Sequence, residues 1–358
     1  WLPQFAFCLA VLSKETAIIT PAVLAGWKFF HAIDPPYGRH RFRRATIWLL
    51  PALPLLAWLG YHHKVTGRFF GSSDFYQYNV AAVISPLRFA LALGLRLWHL
   101  LGIMNMAALT AATAVAMWFP PVMDAAGERQ RIAVTVQLQF YLIMLAHVIT
   151  FSLLGGALLT RYLLAAYPLV IIIGMSTLRR RLSSWEWPAS VLIIFFVLAL
   201  FFDPPYRFAP EDNLTYRDYV ELHVRAASFL HRHESNQTVL TAWPATDELT
   251  KPYLGYVPAR IPVVAIPDFT AGALLKAQQE RSNYQVAYPF STKYEASTWF
   301  RSKMWEQLNR RFFDYHRDLS PQAAAELLGG RVVFAEQNKA EWVGIIEFQP
   351  PPSMAHRR

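Results

Sequence analysis

Long uncharged apolar runs are the feature that most constrains what this chain can fold into. A helix that crosses a membrane needs about 20 mostly apolar residues to span a hydrocarbon core of about 30 Å. Runs of this kind recur between short polar breaks in the first 202 residues, beginning near residues 1, 17, 45, 98, 132, 163 and 188. They predict six or seven spans, and therefore an integral, multi-pass membrane protein whose residues 1–202 form an all-α helical bundle.

The charge distribution predicts how this bundle is oriented. Residues 1–202 contain 16 Lys and Arg but 6 Asp and Glu, whereas residues 203–358 contain 18 of each kind. The excess cations fall in short breaks between apolar runs, at Arg39, Arg41, Arg43, Arg44, Arg129, Arg131 and Arg179–Arg181. Cytoplasmic loops are typically rich in Lys and Arg, so we expect these loops inside and residues 203–358 outside. A nucleic-acid-binding protein would need a continuous basic face instead.

The character of the sequence changes after Asp203-Pro204-Pro205. Short apolar runs near 239–243, 261–266, 284–287, 331–335 and 342–348 predict strands, and amphipathic stretches near 247–254, 271–281 and 321–328 predict helices. Such alternation is typical of an α/β sheet domain of ordinary size. We therefore expect a soluble, extracytoplasmic α/β domain over residues 203–358.

Cysteine and histidine contribute little to the functional prediction. Cys8 is the only cysteine, so an intrachain disulfide and a Cys-ligated metal cluster are both excluded. His62-His63 and His231-Arg232-His233 lack neighbours at a recognised metal-ligand spacing, and we expect them at the surface. The chain starts inside an apolar run without the basic region of a signal peptide, so we expect a C-terminal fragment.

Two short strings combine charge with predicted helix ends. Lys14 and Glu15 lie between two apolar helices, where charged groups either belong to a site, pair with each other or form a polar turn. Arg161 and Tyr162 lie at the start of a later helix, and the guanidinium is suited to phosphate oxygens. The alternative for Arg161 and Tyr162 is an ordinary interfacial anchor.

These strings carry a family resemblance. Ser13-Lys14-Glu15 ahead of Pro21, and Arg161-Tyr162-Leu163-Leu164 ahead of Pro168, resemble the GT-C glycosyltransferases of the protein mannosyltransferase and aminoarabinose transferase type. The resemblance implies a GT-C-like bundle in the bacterial inner membrane. It also implies that a sugar is transferred with inversion from a polyprenyl-phosphate carrier to an acceptor saccharide, lipid or protein at the outer face.

The same resemblance assigns roles to residues. Lys14 and Arg161 match the family's positions for phosphate contact, and we expect their charged ends to lie within about 10 to 15 Å of each other around one lipid phosphate. The catalytic acid is expected upstream of Trp1, so a fragment starting at Trp1 should be inactive, and the resemblance leaves open whether a divalent metal takes part. Glu15 and Asp74 are the acids predicted on the outer face, and aromatic neighbours of Asp74 could stack on a sugar.

Two other classes of protein fit parts of the pattern. A transporter or flippase of lipid-linked saccharides would place charged or helix-breaking residues near the middle of several spans. A membrane scaffold that displays the C-terminal domain would give Lys14, Glu15 and Arg161 no role. The predicted charges gather at one rim of the bundle, which favours a transferase acting at the membrane surface.

Overall fold

The computed structural model describes residues 1–30, 45–69, 85–125, 127–154, 158–234, 236–294, 302–313 and 315–348. These residues divide into two compact units, Trp1–Leu198 and Ala199–Arg358. The division lies within a few residues of the predicted boundary between residues 202 and 203. Each unit has its own hydrophobic core.

The first unit is helical. Its described helices are α1 Leu2–Ser13, α2 Ile19–Phe30, α3 Ala52–Thr66, α4 Pro86–Leu101, α5 Met106–Ala116, α6 Val134–Leu153, α7 Tyr167–Arg181 and α8 Glu186–Phe201, the last of which continues into the second unit. A short hairpin, β1 Met123–Asp124 and β2 Gly127–Glu128, precedes α6. Local sequence starts α4 in the usual way, because Pro86 follows Ser85 and the Ser85 hydroxyl accepts a hydrogen bond from the Arg88 amide at 3.1 Å.

Two of the described helical segments are long and apolar enough to cross a membrane, Ala45–Thr66 and Val134–Leu153. A third is possible if α4 and Ile103–Ala116, which are bent by 44° at a short break, count as one span. The predicted six or seven spans are therefore not confirmed. Helices α1 and α2 have 12 residues each, which is about 18 Å of helix and well short of a hydrocarbon core.

The predicted span over residues 98–119 is interrupted in the structure. Met104 and Asn105 have positive φ angles of 47° and 69°, so the helix stops after α4 and restarts as α5. Gly102 allows the break, because a Cβ atom there would lie 2.3 Å from the Trp98 ring. The Asn105 side chain donates to the Phe195 carbonyl at 2.5 Å, which gives the break a partner on α8. Hydropathy could not predict this break, since the single polar residue Asn105 does not end a run that is otherwise mostly apolar.

The second unit is an α/β domain. Its described elements are α9 Thr215–His233, β3 Val239–Ala242, α10 Ala245–Thr250, β4 Val263–Ile266, α11 Ala271–Gln279, β5 Val286–Ala287, α12 Lys303–Phe312, α13 Pro321–Leu328, β6 Arg331–Asn338 and β7 Glu341–Glu347. The strand order is β4-β3-β5-β7-β6, with the first three parallel and β7 antiparallel to both of its neighbours. All five predicted strands are confirmed, whereas α9 and α12 were not predicted.

The amphipathic helix α9 packs against the strands β6 and β7. Its Leu222, Ala226 and Leu230 are buried in the same core as Val239 and Ile345. Fully burying one leucine side chain stabilises a fold by roughly 1.5 to 3 kcal/mol. Packing of this face, rather than helix propensity, therefore holds α9 in place.

Asp203 organises the start of the second unit. Its carboxylate accepts hydrogen bonds from Asn213 at 3.0 Å, from Thr215 at 2.9 Å and from the Tyr294 hydroxyl. Burial alone would raise the pKa of Asp203, but these hydrogen bonds and the Lys339 charge outweigh it and hold the pKa below its ordinary value. The residues just after α8 are therefore tied to α9 and to the β6–β7 turn by an ionised carboxylate.

Candidate functional site

Three cations surround the ring of Tyr162. The Lys14 Nζ atom lies 4.6 Å from the ring centroid, the Arg96 Cζ atom 5.8 Å and the Arg161 Cζ atom 5.9 Å. Phe151 stacks on the same ring, with centroids 5.3 Å apart and planes 14° apart. Each cation lies within about 6 Å of the ring, the usual range for attraction to an aromatic face.

Backbone breaks bring two of these cations to the ring. Lys14 is extended between α1 and a short 3₁₀ turn, Glu15–Ile18, and its amide donates to the Ala10 carbonyl at 2.9 Å. Arg161 and Tyr162 belong to a second 3₁₀ turn, Thr160–Leu163, directly before α7. Lys14 and Arg161 are exposed, whereas Tyr162 is half-buried. The polar strings singled out in the sequence therefore lie at helix starts, as predicted.

The distance predicted between Lys14 and Arg161 agrees with this geometry. Because both cations contact one ring, the two distances of 4.6 Å and 5.9 Å limit the separation of Lys14 Nζ and Arg161 Cζ to about 10.5 Å. The 147 residues between them do not keep them apart, since α6 returns the chain to the end of the helices where Lys14 lies. That both charges open onto one outward-facing cavity stays a prediction.

Arg96 was not predicted as part of this site. Arg88 and Arg96 are 3% and 1% exposed, so both cations lie inside the packed helices. Arg96 donates to the Leu159 carbonyl at 2.7 Å, and Arg88 donates to the Ser152 and Leu154 carbonyls at 3.4 and 3.5 Å.

Arg88 and Arg96 share one face of α4. That face also carries the buried Ala92 and His99, at the spacing of one helical stripe. The sequence shows two arginines eight residues apart, which places them on one face of a helix. Only the packing of α6 against that face shows that it is buried. Arg88 meets the last carbonyls of α6, a helix end that lacks internal partners and favours positive charge.

The acidic candidates lie less close to this cluster. Glu15 is exposed in its turn, and the Lys14 ammonium contacts the Tyr162 ring. Asp74 lies outside the described residues. The other acids described in the first unit are Asp124, Glu128 and Glu186, which lie near the basic loops.

Two predicted basic loops meet at one end of the helices. Arg129 donates to the Arg179 carbonyl at 2.8 Å, and Val122 donates to the Arg180 carbonyl at 2.9 Å. Arg180 also pairs with Glu128 on the hairpin. Helix α6 starts beside this end and runs for 20 residues, or about 30 Å, toward the turn that carries Arg161. The cations of the basic loops and the cations around Tyr162 therefore lie at opposite ends of these helices.

The buried ionisable groups of the second unit were also missed by sequence reasoning. His223 and Glu248 form a buried pair at 2.7 Å, and the centroid of the His223 ring lies 4.1 Å from that of Tyr219 with the planes tilted by 32°. Glu341 is 2% exposed and accepts a hydrogen bond from the Ser291 hydroxyl at 2.6 Å. These side chains are enclosed by the core, which indicates a structural role rather than a site for a ligand.

The described residues contain no group of three or more His, Cys, Asp or Glu side chains arranged to hold a metal ion. Comparisons with protein-family models, with curated proteins and with solved structures find no significant match. The class of this protein therefore has to be inferred from its motifs and from the cation cluster around Tyr162.

Proposed function

We propose that this chain is part of a GT-C-like, inverting glycosyltransferase that takes a sugar from a polyprenyl-phosphate carrier. The observation that supports this most is the convergence of Lys14, Arg96 and Arg161 on the Tyr162 ring. Three cations from distant parts of the chain repel one another. An anionic ligand bound among the three cations would offset this repulsion.

The chemistry of sugar transfer explains why cations are needed. The leaving group is a lipid phosphate, and negative charge develops on its oxygens as the glycosidic bond breaks. Fixed cations that are already oriented stabilise that charge without further reorganisation. Arg96 fits this role because its hydrogen bond to Leu159 holds the guanidinium in one position. Tyr162 would orient the cations through its ring and could donate its hydroxyl to the phosphate.

The base that activates the acceptor is not assigned to a residue of this chain. Glu15 and Asp74 are retained as substrate-binding candidates, with Asp74 contacting the sugar or the acceptor.

The proposed topology follows from the two groups of cations. The positive-inside rule predicts that the end carrying Arg129 and Arg180 is cytoplasmic, so the Tyr162 cluster would face the opposite side. We propose a multi-pass protein of the bacterial inner membrane whose C-terminal domain is extracytoplasmic. A reporter enzyme that works only outside the cytoplasm should be active when fused after Arg358. Activity of a cytoplasm-only reporter at that point would refute the topology.

Binding of the carrier tests the proposal directly. We would titrate the purified chain in detergent with undecaprenyl phosphate and measure the dissociation constant by native mass spectrometry. Lys14→Ala and Arg161→Ala should each weaken binding roughly 10- to 100-fold, the usual size of a charge-assisted hydrogen bond. Because both cations act on one phosphate, the double variant should lose less than the sum of the two free-energy losses.

Matched controls remove equal charges elsewhere. Lys28→Ala takes a cation from the exposed last turn of α2, and Arg131→Ala takes one from the opposite end of the helices. Neither should change the dissociation constant for undecaprenyl phosphate. Equal losses in the control and site variants would mean that binding reflects overall charge, and the proposed site would be wrong.

A transporter or flippase of lipid-linked saccharides is the second candidate. Transporters commonly bind substrate beside interrupted helices, and the break between α4 and α5 at Met104 and Asn105 is such an interruption. Reconstitution in liposomes separates the two classes. Movement of a fluorescent polyprenyl-phosphate sugar between leaflets without sugar transfer would favour the transporter.

A further inference from the structure

Helix α12 of the second unit presents a cationic face to solvent. One side of the helix is half-buried or buried against the domain, through Trp305, Leu308, Asn309 and Phe312. The opposite side is exposed and consists of Lys303, Met304, Gln307, Arg310 and Arg311. The exposed side therefore combines three cations with an apolar methionine and has no acidic residue.

The acid within α12 does not offset these cations. Glu306 lies on the half-buried side of the helix. Its carboxylate pairs with Arg317 at 3.1 Å and with Arg207 at 3.8 Å. Since two cations from outside the helix already neutralise Glu306, the positive charge of the exposed face is left for a partner.

The position of α12 suggests what that partner is. The Arg207 guanidinium lies 4.1 Å from the ring centroid of Tyr315, and the Tyr315 amide donates to the Asn309 carbonyl of α12 at 3.2 Å. Arg207 follows the last residue of the apolar helix α8, Phe201, after six residues, which reach at most about 22 Å when extended. Helix α12 is therefore connected through Tyr315 and Arg207 to the segment that follows the apolar helix α8.

We propose that the exposed face of α12 binds the anionic phospholipid surface of the membrane next to which the domain emerges. This inference depends on membrane association and not on sugar transfer. Clustered Lys and Arg side chains close to a membrane are attracted to the negative surface potential of an anionic leaflet. Each cation near an anionic leaflet contributes roughly fivefold, so three contribute about a hundredfold to the ratio of docked to undocked domain.

The balance of charge in the domain argues against a nucleic-acid partner. Residues 203–358 contain equal numbers of basic and acidic residues, and the cations of α12 occupy one helix face rather than a continuous stripe. Met304 is 69% exposed at the start of that face, where an acyl-chain boundary would cover it.

A spin label on the exposed face tests the proposal in the full chain. The single cysteine is first removed as Cys8→Ser, and Gln307→Cys is then labelled with a nitroxide. We would place the protein in nanodiscs of phosphatidylglycerol or of phosphatidylcholine and measure the accessibility of the label to a water-soluble nickel reagent. Accessibility should be lower in phosphatidylglycerol, and about 0.5 M salt should remove the difference by screening.

Charge-matched variants complete the test. The triple variant Lys303→Gln, Arg310→Gln, Arg311→Gln should reduce the docked-to-undocked ratio in phosphatidylglycerol about a hundredfold. A control triple variant with the same net charge alters exposed cations elsewhere on the domain, at Arg232→Gln, Lys276→Gln and Arg331→Gln, and should behave like the unsubstituted chain. Equal accessibility in the two lipids, or equal losses in the two triple variants, would overturn the proposal. The salt titration of the unsubstituted chain decides the question even if a triple variant fails to fold.

Discussion

Glu341 should control how the stability of the second unit depends on pH. Its side chain is enclosed by the core at the start of β7, and its described hydrogen bond comes from Ser291. Burial raises the pKa of Glu341 from its ordinary 4.5 to about 7, although the Ser291 hydrogen bond opposes the rise. In the unfolded chain the same carboxyl is exposed and returns to its ordinary pKa.

The sign of the effect follows from proton binding. Between about pH 4.5 and 7 the native domain keeps a proton on Glu341 that the unfolded chain has lost. Stability therefore falls as pH rises through this window and stays low above it. A difference of about 2.5 pKa units corresponds to about 3 kcal/mol of stability that is present at pH 4.5 and absent at pH 8.

Urea unfolding of the segment 203–358 at pH 5 and at pH 8 measures this effect. Glu341→Gln preserves the shape and the acceptor for Ser291 but cannot ionise. It should leave stability nearly unchanged at pH 5 and raise it by up to about 3 kcal/mol at pH 8. Glu326→Gln, which removes an exposed carboxylate from α13, is the control and should leave the difference in stability between pH 5 and pH 8 in place. If Glu341→Gln had the same pH dependence as the unsubstituted domain, the buried carboxyl would not be the titrating group.

Three further expectations concern stability. The segment 203–358 should fold alone, because it has its own core, and a thermal scan by circular dichroism should show one cooperative transition rather than a gradual change. His223→Leu leaves the buried Glu248 carboxyl without its hydrogen-bond partner and should cost about 1 to 3 kcal/mol in urea unfolding, whereas replacing both residues by leucine should cost less. Gly174→Val should lower the melting temperature of the chain in detergent, because a Cβ atom there would lie 2.8 Å from a Leu109 methyl group. Gly94→Val is the control and should lower the melting temperature less, because a Cβ atom there meets open space.

Much of the architecture was predictable from local patterns. Apolar runs and polar breaks predicted the helical first unit, and the change after Asp203 predicted an α/β domain whose five strands are all confirmed. These signals are local, because hydropathy and strand propensity act over a few consecutive residues. The two strings Lys14-Glu15 and Arg161-Tyr162 were also visible, since charged residues beside apolar helices are unusual.

Helix ends and buried polar partners depended on contacts between distant residues. The mostly apolar run near residue 98 continues past Gly102 without a charged residue, yet the chain turns there and the Asn105 side chain donates to a carbonyl 90 residues away. Whether an apolar run becomes one span or two short helices is decided by such packing, which hydropathy does not contain.

The cation cluster around Tyr162 likewise combines features that the sequence determines with contacts that only packing creates. The sequence by itself determined that Lys14 and Arg161 are cations at the starts of helices, because that follows from neighbouring residues. Only the tertiary structure decided that both contact Tyr162, that buried Arg96 joins them, and that the cations of the basic loops meet at the other end of the helices. Electrostatic and aromatic contacts depend on distances of a few ångströms, and residues far apart in the chain reach such distances only after the helices have packed.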